Sequence, residues 1–305
     1  MQFPAVAKPP VGILFDTALD RIDEVLALAL LHGLEGKGDA HIAAVCVSRP
    51  DLAAARFCDT LSLFYASATT GAAAMFMHRS PIGLADGKAA ATPAMLSGPF
   101  APASLVKSID DTADPATLMR NELMAQYDQN AAIVLSGPSA DLARLLGMYG
   151  VKDWITRKVR LLCMTGQATP IADWPTPVVT VGPEIGEALP FPGGSMAQDF
   201  AYAPAHPVVA AYRAYKTMPY DAPSCAMAAM LYAARPNENY FGVSGGKLVF
   251  DPRQKERVVT AYVELASAKP VPRKPHRPPA NEKKKDEPKR DESKPAASQD
   301  HAVRF

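Results

Sequence analysis

The sequence lacks three patterns that would assign it quickly to a class of protein. Its cysteines form no C-x-x-C pair and have no histidine at ligand spacing, so it predicts neither a zinc site nor a disulfide framework but free thiols: Cys46, Cys58, Cys163 and Cys225. It contains no run of about 18 apolar residues, which argues against a membrane-spanning helix. The start, MQFPAVAKPP, has no basic segment followed by an apolar one. We therefore expect no signal peptide and a cytoplasmic protein, unless a misassigned start site has removed an export signal.

The chain also lacks a large excess of positive or negative charge, since its formal net charge is only +1. Residues 269–305 hold eleven Lys and Arg against six Asp and Glu, which leaves the first 268 residues at about −4. A mildly acidic body is not typical of a nucleic-acid surface. We therefore expect no nucleic-acid partner.

The composition divides the chain near residue 268. The segment from Lys269 is rich in proline and lysine and has almost no apolar side chains, so it cannot bury enough surface to offset its ordering entropy. The sequence predicts one domain over residues 1–268 and a disordered tail over residues 269–305. A basic tail can also touch acidic partners, which leaves open an interaction protein that acts through this segment.

The body alternates apolar runs with helical patterns. VGILF, HIAAVCV, AAIVLSG, KVRLLCMTG and TPVVTVG are typical of buried strands, and DEVLALALLHGL, SADLARLLGM and SCAMAAMLYAAR are typical of helices. GGKLVFD reads as a hairpin-like element and RVVTAYVEL as a last strand. This alternation predicts an α/β domain with a mostly parallel, Rossmann-like open sheet and helices on both faces. Ligands in such folds bind outside the carboxyl ends of the strands.

One acidic stretch lies at such a strand end. DTALDRIDE (16–24) follows VGILF directly and contains Asp16, Asp20, Asp23 and Glu24. Clustered carboxylates supply the oxygen ligands that Ca²⁺ prefers. Asp23 and Glu24 could instead lie in the first turn of a helix, where the macrodipole favours acidic side chains.

The motif ILFDTALDRIDEVLALALL resembles the N-terminal signature of the inosine-uridine-preferring nucleoside hydrolases. IVLSGPSADLARLL resembles the segment of that family that contains GPLTN, and KVRLLCMTGQ resembles the strand that follows it. AYAPAHPVVAAYRAY and MPYDAPSCAMAAMLYAARPNENYFGVS continue the resemblance in order and spacing. It covers about residues 11–265, so the chain resembles a divergent member of this family with a single nucleoside-hydrolase-type domain.

The resemblance implies hydrolysis of the N-glycosidic bond of a ribonucleoside. In the family a Ca²⁺ ion holds the ribose hydroxyls and lowers the pKa of a bound water, which an aspartate deprotonates. The implied partner is a nucleoside or another ribose-like small molecule. Family members are commonly homo-oligomers, so the resemblance also allows a homo-oligomer here.

The catalytic motif carries over only in part. Asp16 matches the first family aspartate, but the aspartate that acts as base and metal ligand falls on Ala18. Asp20 and Asp23 are the remaining candidates for catalysis, and Asp16, Asp23 and Glu24 are the candidate metal ligands. Asp23 and Glu24 are also expected to contact the substrate.

Two further metal ligands come from later segments. The backbone carbonyl of Ala140 matches the family's carbonyl ligand. The late-helix aspartate falls on Ala226 in a gapless alignment, whereas a rival alignment places Asp221 there as metal and substrate ligand. With alanine at both position 18 and position 226, two interpretations remain open. The protein is either a weakened hydrolase or a catalytically degenerate protein that binds a nucleoside or sugar without turnover.

Overall fold

The computed structural model describes residues 9–68, 79–166 and 168–272. Its strands are β1 (Val11–Thr17), β2 (Ala40–Val47), β3 (Ile82–Leu84), β4 (Ala131–Leu135), β5 (Val159–Thr165), β6 (Val178–Val181), β7 (Gly242–Ser244) and β8 (Lys247–Val249). Its helices are α1 (Ile22–Lys37), α2 (Leu52–Ala66), α3 (Pro115–Met124), α4 (Ala140–Gly147), α5 (Val151–Lys158), α6 (Pro183–Ala188), α7 (Ser195–Gln198), α8 (Pro207–Tyr215), α9 (Cys225–Ala234) and α10 (Lys255–Ala266).

The described strands form one sheet in the order β3-β2-β1-β4-β5-β6-β8-β7. Every neighbouring pair is parallel except β7 with β8, which form an antiparallel hairpin. β1 is central, because it pairs with β2 on one side and β4 on the other. The order reverses around β1, and this places the loop after β1 at the switch point where open sheets bind ligands.

Helices cover both faces of the sheet, as the sequence predicts. One core cluster contains side chains of α1, α2, α8, α9 and α10, and a second contains those of α3, α4 and α5. α1 is buried from Ile22 to Leu34, because it packs between the sheet and the helices α9 and α10. This explains why its sequence is apolar on most faces.

RVVTAYVEL is not a strand, and that prediction is wrong. These residues lie in α10, which buries Val258, Ala261, Tyr262 and Leu265, a spacing that places all four on one helical face. α10 packs closely on α1, since a Cβ on Gly33 would lie 2.0 Å from the backbone oxygen of Leu265. The valines favour a strand by propensity, but the burial of one helical face against α1 makes the segment a helix.

Three other expectations concern the tail, the membrane and the cysteines. Most of the proposed tail, residues 273–305, lies outside the described residues, and the boundary near residue 268 stays a prediction. Across the described ranges, no helix combines the length and apolar character needed to cross a bilayer. All four cysteines are free, as expected, with three buried and Cys225 half-buried.

Candidate functional site

A tight bend connects β1 to α1 at the carboxyl edge of the sheet. Leu19 adopts φ 50°, in the left-handed region, and donates its backbone N–H to the Thr17 hydroxyl at 3.0 Å. A leucine seldom adopts this conformation, but its side chain is completely buried in the core. The bend turns the chain so that Asp16 and the acids of α1 lie at the same edge.

Asp16 is a fully buried acid at the end of β1. Its backbone oxygen accepts from Ser136 at 2.8 Å, whereas neither carboxyl oxygen has a partner with hydrogen-bond geometry. Burial, followed by the nearby Asp141, raises the pKa of Asp16 well above its ordinary value, although the Ser48 hydroxyl is close enough to oppose this. Burial and the nearby Asp141 therefore favour the neutral form of the Asp16 carboxyl group.

Three hydroxyl groups at neighbouring strand ends are, like the carboxyl group of Asp16, buried without a hydrogen-bond partner. The Oγ atom of Ser48 after β2, that of Ser136 after β4 and Oγ1 of Thr165 in β5 are buried without a hydrogen-bond partner. Asp16 lies on the face of the second core cluster, because it pairs with Leu135 of that cluster. The edge of four adjacent strands is thus lined with polar atoms that the protein leaves unsatisfied, although buried polar groups are normally paired.

Close packing holds these loops together. A Cβ added to Gly137 would lie 2.2 Å from the Ser48 hydroxyl and 2.6 Å from the backbone nitrogen of Ala18. The loop after β4 can therefore approach the loops after β1 and β2 only because residue 137 has no side chain.

Asp23 and Glu24 are buried acids at the start of α1, and Arg21 contacts both. The Arg21 Nε donates to Asp23 Oδ1 at 3.0 Å, and its Nη2 lies 3.3 Å from Glu24 Oε1. Glu24 Oε2 also accepts from the backbone N–H groups of Asp20 and Arg21. Burial raises the pKa of Glu24 to about 7, while Arg21 opposes the rise and Asp23 adds to it.

Asp23 also reaches the first turn of α9. Its Oδ2 accepts from the backbone nitrogen of Ala226 at 2.9 Å, so a carboxylate of α1 satisfies one of the open N–H groups of another helix. The gapless alignment places the family's late-helix metal ligand at position 226, which stays a prediction; the structure shows the backbone nitrogen of this residue against Asp23. Ala226 is fully buried and Ala18 is 5% exposed. Because both residues are alanine, neither position supplies a carboxylate.

The other candidate residues are all exposed. Asp221 is exposed and accepts from the backbone nitrogen of Gly193 at 2.8 Å. Asp20 is exposed, and so is Ala140 at the start of α4. The structure thus brings Asp23, Glu24 and position 226 together, with Asp16 near Glu24, and ties Asp221 to a different loop.

These side chains do not fit a calcium ion. Ca²⁺ takes six to eight oxygen ligands, but the oxygens of Asp23 and Glu24 are directed at Arg21 and at backbone N–H groups. Within residues 9–68, 79–166 and 168–272, no group of three or more His, Cys, Asp or Glu side chains is arranged to hold a metal.

Sequence reasoning missed two participants, Arg21 and Ser48. Arg21 stands inside the acidic stretch, two and three residues before Asp23 and Glu24, so its charge was visible in the sequence, whereas the direction of its side chain was not. Ser48 gave no such signal, because only the pairing of β1 with β2 places it near Asp16.

Comparisons by sequence find no matching protein-family profile and no matching curated protein. Solved structures are similar in fold. The effector protein XOO4466 superimposes with a TM-score of 0.57 at 12% identity, over 85% of this chain and 94% of that one. The type III effector XopQ, solved with adenosine diphosphate ribose, gives 0.56 at 12% identity, over 87% and 95%.

An inosine-uridine preferring nucleoside hydrolase from Bacillus anthracis gives a TM-score of 0.53 at 13% identity, over 84% of this chain and 99% of the hydrolase. Such low identity carries information about the fold and not about the chemistry. The predicted resemblance is confirmed at the level of the fold: the chain is a divergent protein with the nucleoside hydrolase fold.

Proposed function

We propose that the protein binds a ribose-containing small molecule at the carboxyl edge of its sheet and does not hydrolyse it by a metal-activated water. The observation that carries the proposal is the set of unsatisfied oxygens at this edge, namely both carboxyl oxygens of Asp16 and the hydroxyls of Ser48, Ser136 and Thr165. Such groups cost free energy unless a partner satisfies them. A ligand with several hydroxyl groups would supply partners once the loops that bury these atoms open.

The protonated form of Asp16 would pair with a neutral, hydroxyl-rich group such as the ribose of a larger ligand. A protonated carboxyl group both donates and accepts a hydrogen bond, as a serine or threonine hydroxyl does. The diol of a ribose has the same dual capacity, so each pair can align without placing two donors face to face. Among proteins of this fold, XopQ was solved with adenosine diphosphate ribose and others are named as nucleoside hydrolases, which makes a ribosyl group the first ligand to test.

We expect no turnover because the acidic stretch and position 226 offer no free base. Hydrolysis of a glycosidic bond needs a base within reach of the attacking water. Positions 18 and 226 are alanine, and the carboxylates of Asp23 and Glu24 already accept from Arg21 and the backbone. The burial that raises the pKa of Asp16 favours its protonated form, which cannot act as a base.

Calorimetric titration with ribose, inosine and adenosine diphosphate ribose, beside an assay for release of the base from inosine, tests both halves of the proposal. We expect binding of at least one ligand without turnover. Absence of binding by all three would overturn the binding half. Hydrolysis of inosine at about 1 per second or faster, the range of ordinary enzymes, would overturn the claim that the protein does not hydrolyse its ligand.

Two serines of nearly equal burial, Ser136 and Ser62, provide a matched pair of variants. Ser136→Ala removes a hydroxyl that has no partner, so we expect unchanged stability and about tenfold weaker ligand binding, the worth of about one hydrogen bond. Ser62→Ala removes a hydroxyl that accepts from the backbone nitrogen of Ser80 away from this edge. It should lower stability and leave affinity unchanged. The reverse pattern would place the ligand elsewhere.

A further inference from the structure

Two neighbouring carboxylates are buried at the start of α1 in a position that requires a compensating positive charge. Asp23 is 1% exposed and Glu24 is fully buried. When both side chains are ionised, each repels the other in a poorly solvated environment, and a buried charge without a partner is strongly destabilising. A bound divalent cation is one way to compensate them, but the oxygens are not arranged around a metal position.

Arg21 supplies this charge from within the chain. Its Nε and Nη2 atoms lie 3.0 Å and 3.3 Å from one oxygen of Asp23 and one of Glu24. The contact with Asp23 is a hydrogen bond, whereas that with Glu24 is an ion pair without hydrogen-bond geometry. The two contacts use different nitrogens of one planar group, which lets a single arginine face both acids. The guanidinium stays charged at all pH values at which proteins fold, and no chelator can remove it.

The oxygens that Arg21 does not contact are occupied as well. Asp23 Oδ2 accepts from Ala226 in α9, and Glu24 Oε2 accepts from Asp20 and Arg21 in the bend after β1. The two acids therefore link three pieces of the structure: the bend, the start of α1 and the start of α9. This arrangement needs one positive charge to be stable, and Arg21 provides it.

We propose that Arg21 is a built-in counter-ion that takes the place of a divalent cation, so that the folded state and its ligand site are independent of metal. A chain without this guanidinium would depend on an added cation. The inference concerns charge compensation and stands whether or not a ribosyl ligand binds, because its test measures stability and not ligand affinity.

The test compares thermal unfolding with and without about 5 mM CaCl₂, a level at which a weak calcium site is filled. The wild-type protein should show the same midpoint with calcium and with EDTA. Arg21→Met should lower the midpoint by about 10 °C, and calcium should restore at least half of the loss. The proposal would be overturned if calcium raised the unfolding midpoint of the wild-type protein. It would also be overturned if calcium left the midpoint of Arg21→Met unchanged.

Arg49 offers a matched control. Its side chain is 21% exposed, the same as Arg21, and it pairs with the buried Asp51 at 3.0 Å. Only one buried acid is involved, and Asp51 also caps α2 by accepting from Ala53. Arg49→Met should therefore lose stability without any response to calcium, and a calcium response equal to that of Arg21→Met would show a nonspecific salt effect and refute the assignment.

A second variant keeps the test decisive if Arg21→Met does not fold. Arg21→Met with Glu24→Gln removes one positive and one negative charge, so it should fold without calcium and show no calcium response. Arg21→Lys keeps the positive charge but cannot contact Asp23 and Glu24 through two separate nitrogens. It should be intermediate in stability and insensitive to calcium. Failure of both variants to fold would mean that Arg21 is needed for its shape and not for its charge.

Discussion

The contact between Asp23 and Ala226 makes residue 226 a sensitive probe of the site. The backbone nitrogen of Ala226 lies 2.9 Å from Asp23 Oδ2, so an aspartate at position 226 would place its carboxylate within about 5 Å of that of Asp23, judged from bond lengths. Two like charges at about 5 Å repel by about 3 kcal/mol at an effective dielectric constant of about 20. Arg21 offsets part of this, so we expect about 2 kcal/mol.

Ala226→Asn is the control, since asparagine has nearly the same volume and no charge. Urea unfolding at pH 8 without divalent cations should show Ala226→Asp to be less stable than Ala226→Asn by about 2 kcal/mol. The difference should shrink at pH 5, because the new carboxyl group becomes protonated and the repulsion disappears. Equal stability of the two variants at pH 8, or a more stable Ala226→Asp, would show that residue 226 does not face Asp23 as described.

Three more outcomes follow from the packing and the buried titratable groups. Gly137→Ala should destabilise the protein by about 1–3 kcal/mol in urea unfolding, because its Cβ would overlap the Ser48 hydroxyl, whereas Gly147→Ala, with nothing within 4 Å, should be neutral or slightly stabilising. Burial lowers the pKa of His206 from 6.5 to about 3, so the free energy of unfolding should fall by up to about 1.4 kcal/mol for each pH unit below 6.5. The His206→Asn variant can still accept a hydrogen bond at the start of α8, and its stability should depend less on pH in this acidic range. An unchanged pH dependence would rule out His206 as the cause. Burial raises the pKa of Glu24 from 4.5 to about 7 among Arg21, Asp23 and Asp20, so the folded state holds a proton that the unfolded state has lost. Stability should therefore fall by about 3 kcal/mol as the pH rises from 4.5 to 7, and the wild-type curve minus that of Glu24→Gln should show this slope; a difference that does not vary with pH would contradict it.

Local patterns were enough to predict most of the fold. β1, α1 and β2 follow from short-range periodicity, and their alternation implies a parallel sheet. α10 was misread, because Val258, Val259 and Val263 favour a strand by propensity, whereas docking on α1 at Gly33 favours a helix. α3 was not anticipated, although Asp114 caps it and Pro115 begins it.

The acids of the candidate site were visible in the sequence, but the balance of charge among them was not. The acidic stretch at the end of β1 marks the location, and the gapless alignment brings position 226 to it. The pairing of Arg21 with Asp23 and Glu24 depends on side-chain direction at the bend of Leu19, which residue spacing alone does not give. The loss of solvent around Asp16 depends on Gly137 and Ser48, which are far apart in the chain and meet only in the folded sheet.

The central position of β1 has a consequence for the order in which the chain folds during synthesis. β1 can pair with β2 as soon as α1 has formed, but its other edge must wait for β4, roughly 110 residues later in the chain. At about 5–20 residues per second, this edge stays open on the ribosome for roughly 5 to 20 seconds. Its seven residues are all buried in the finished protein, so the nascent chain carries an exposed, strand-forming segment through that interval. Chaperone demand and aggregation during expression should therefore depend on how fast the ribosome reaches β4.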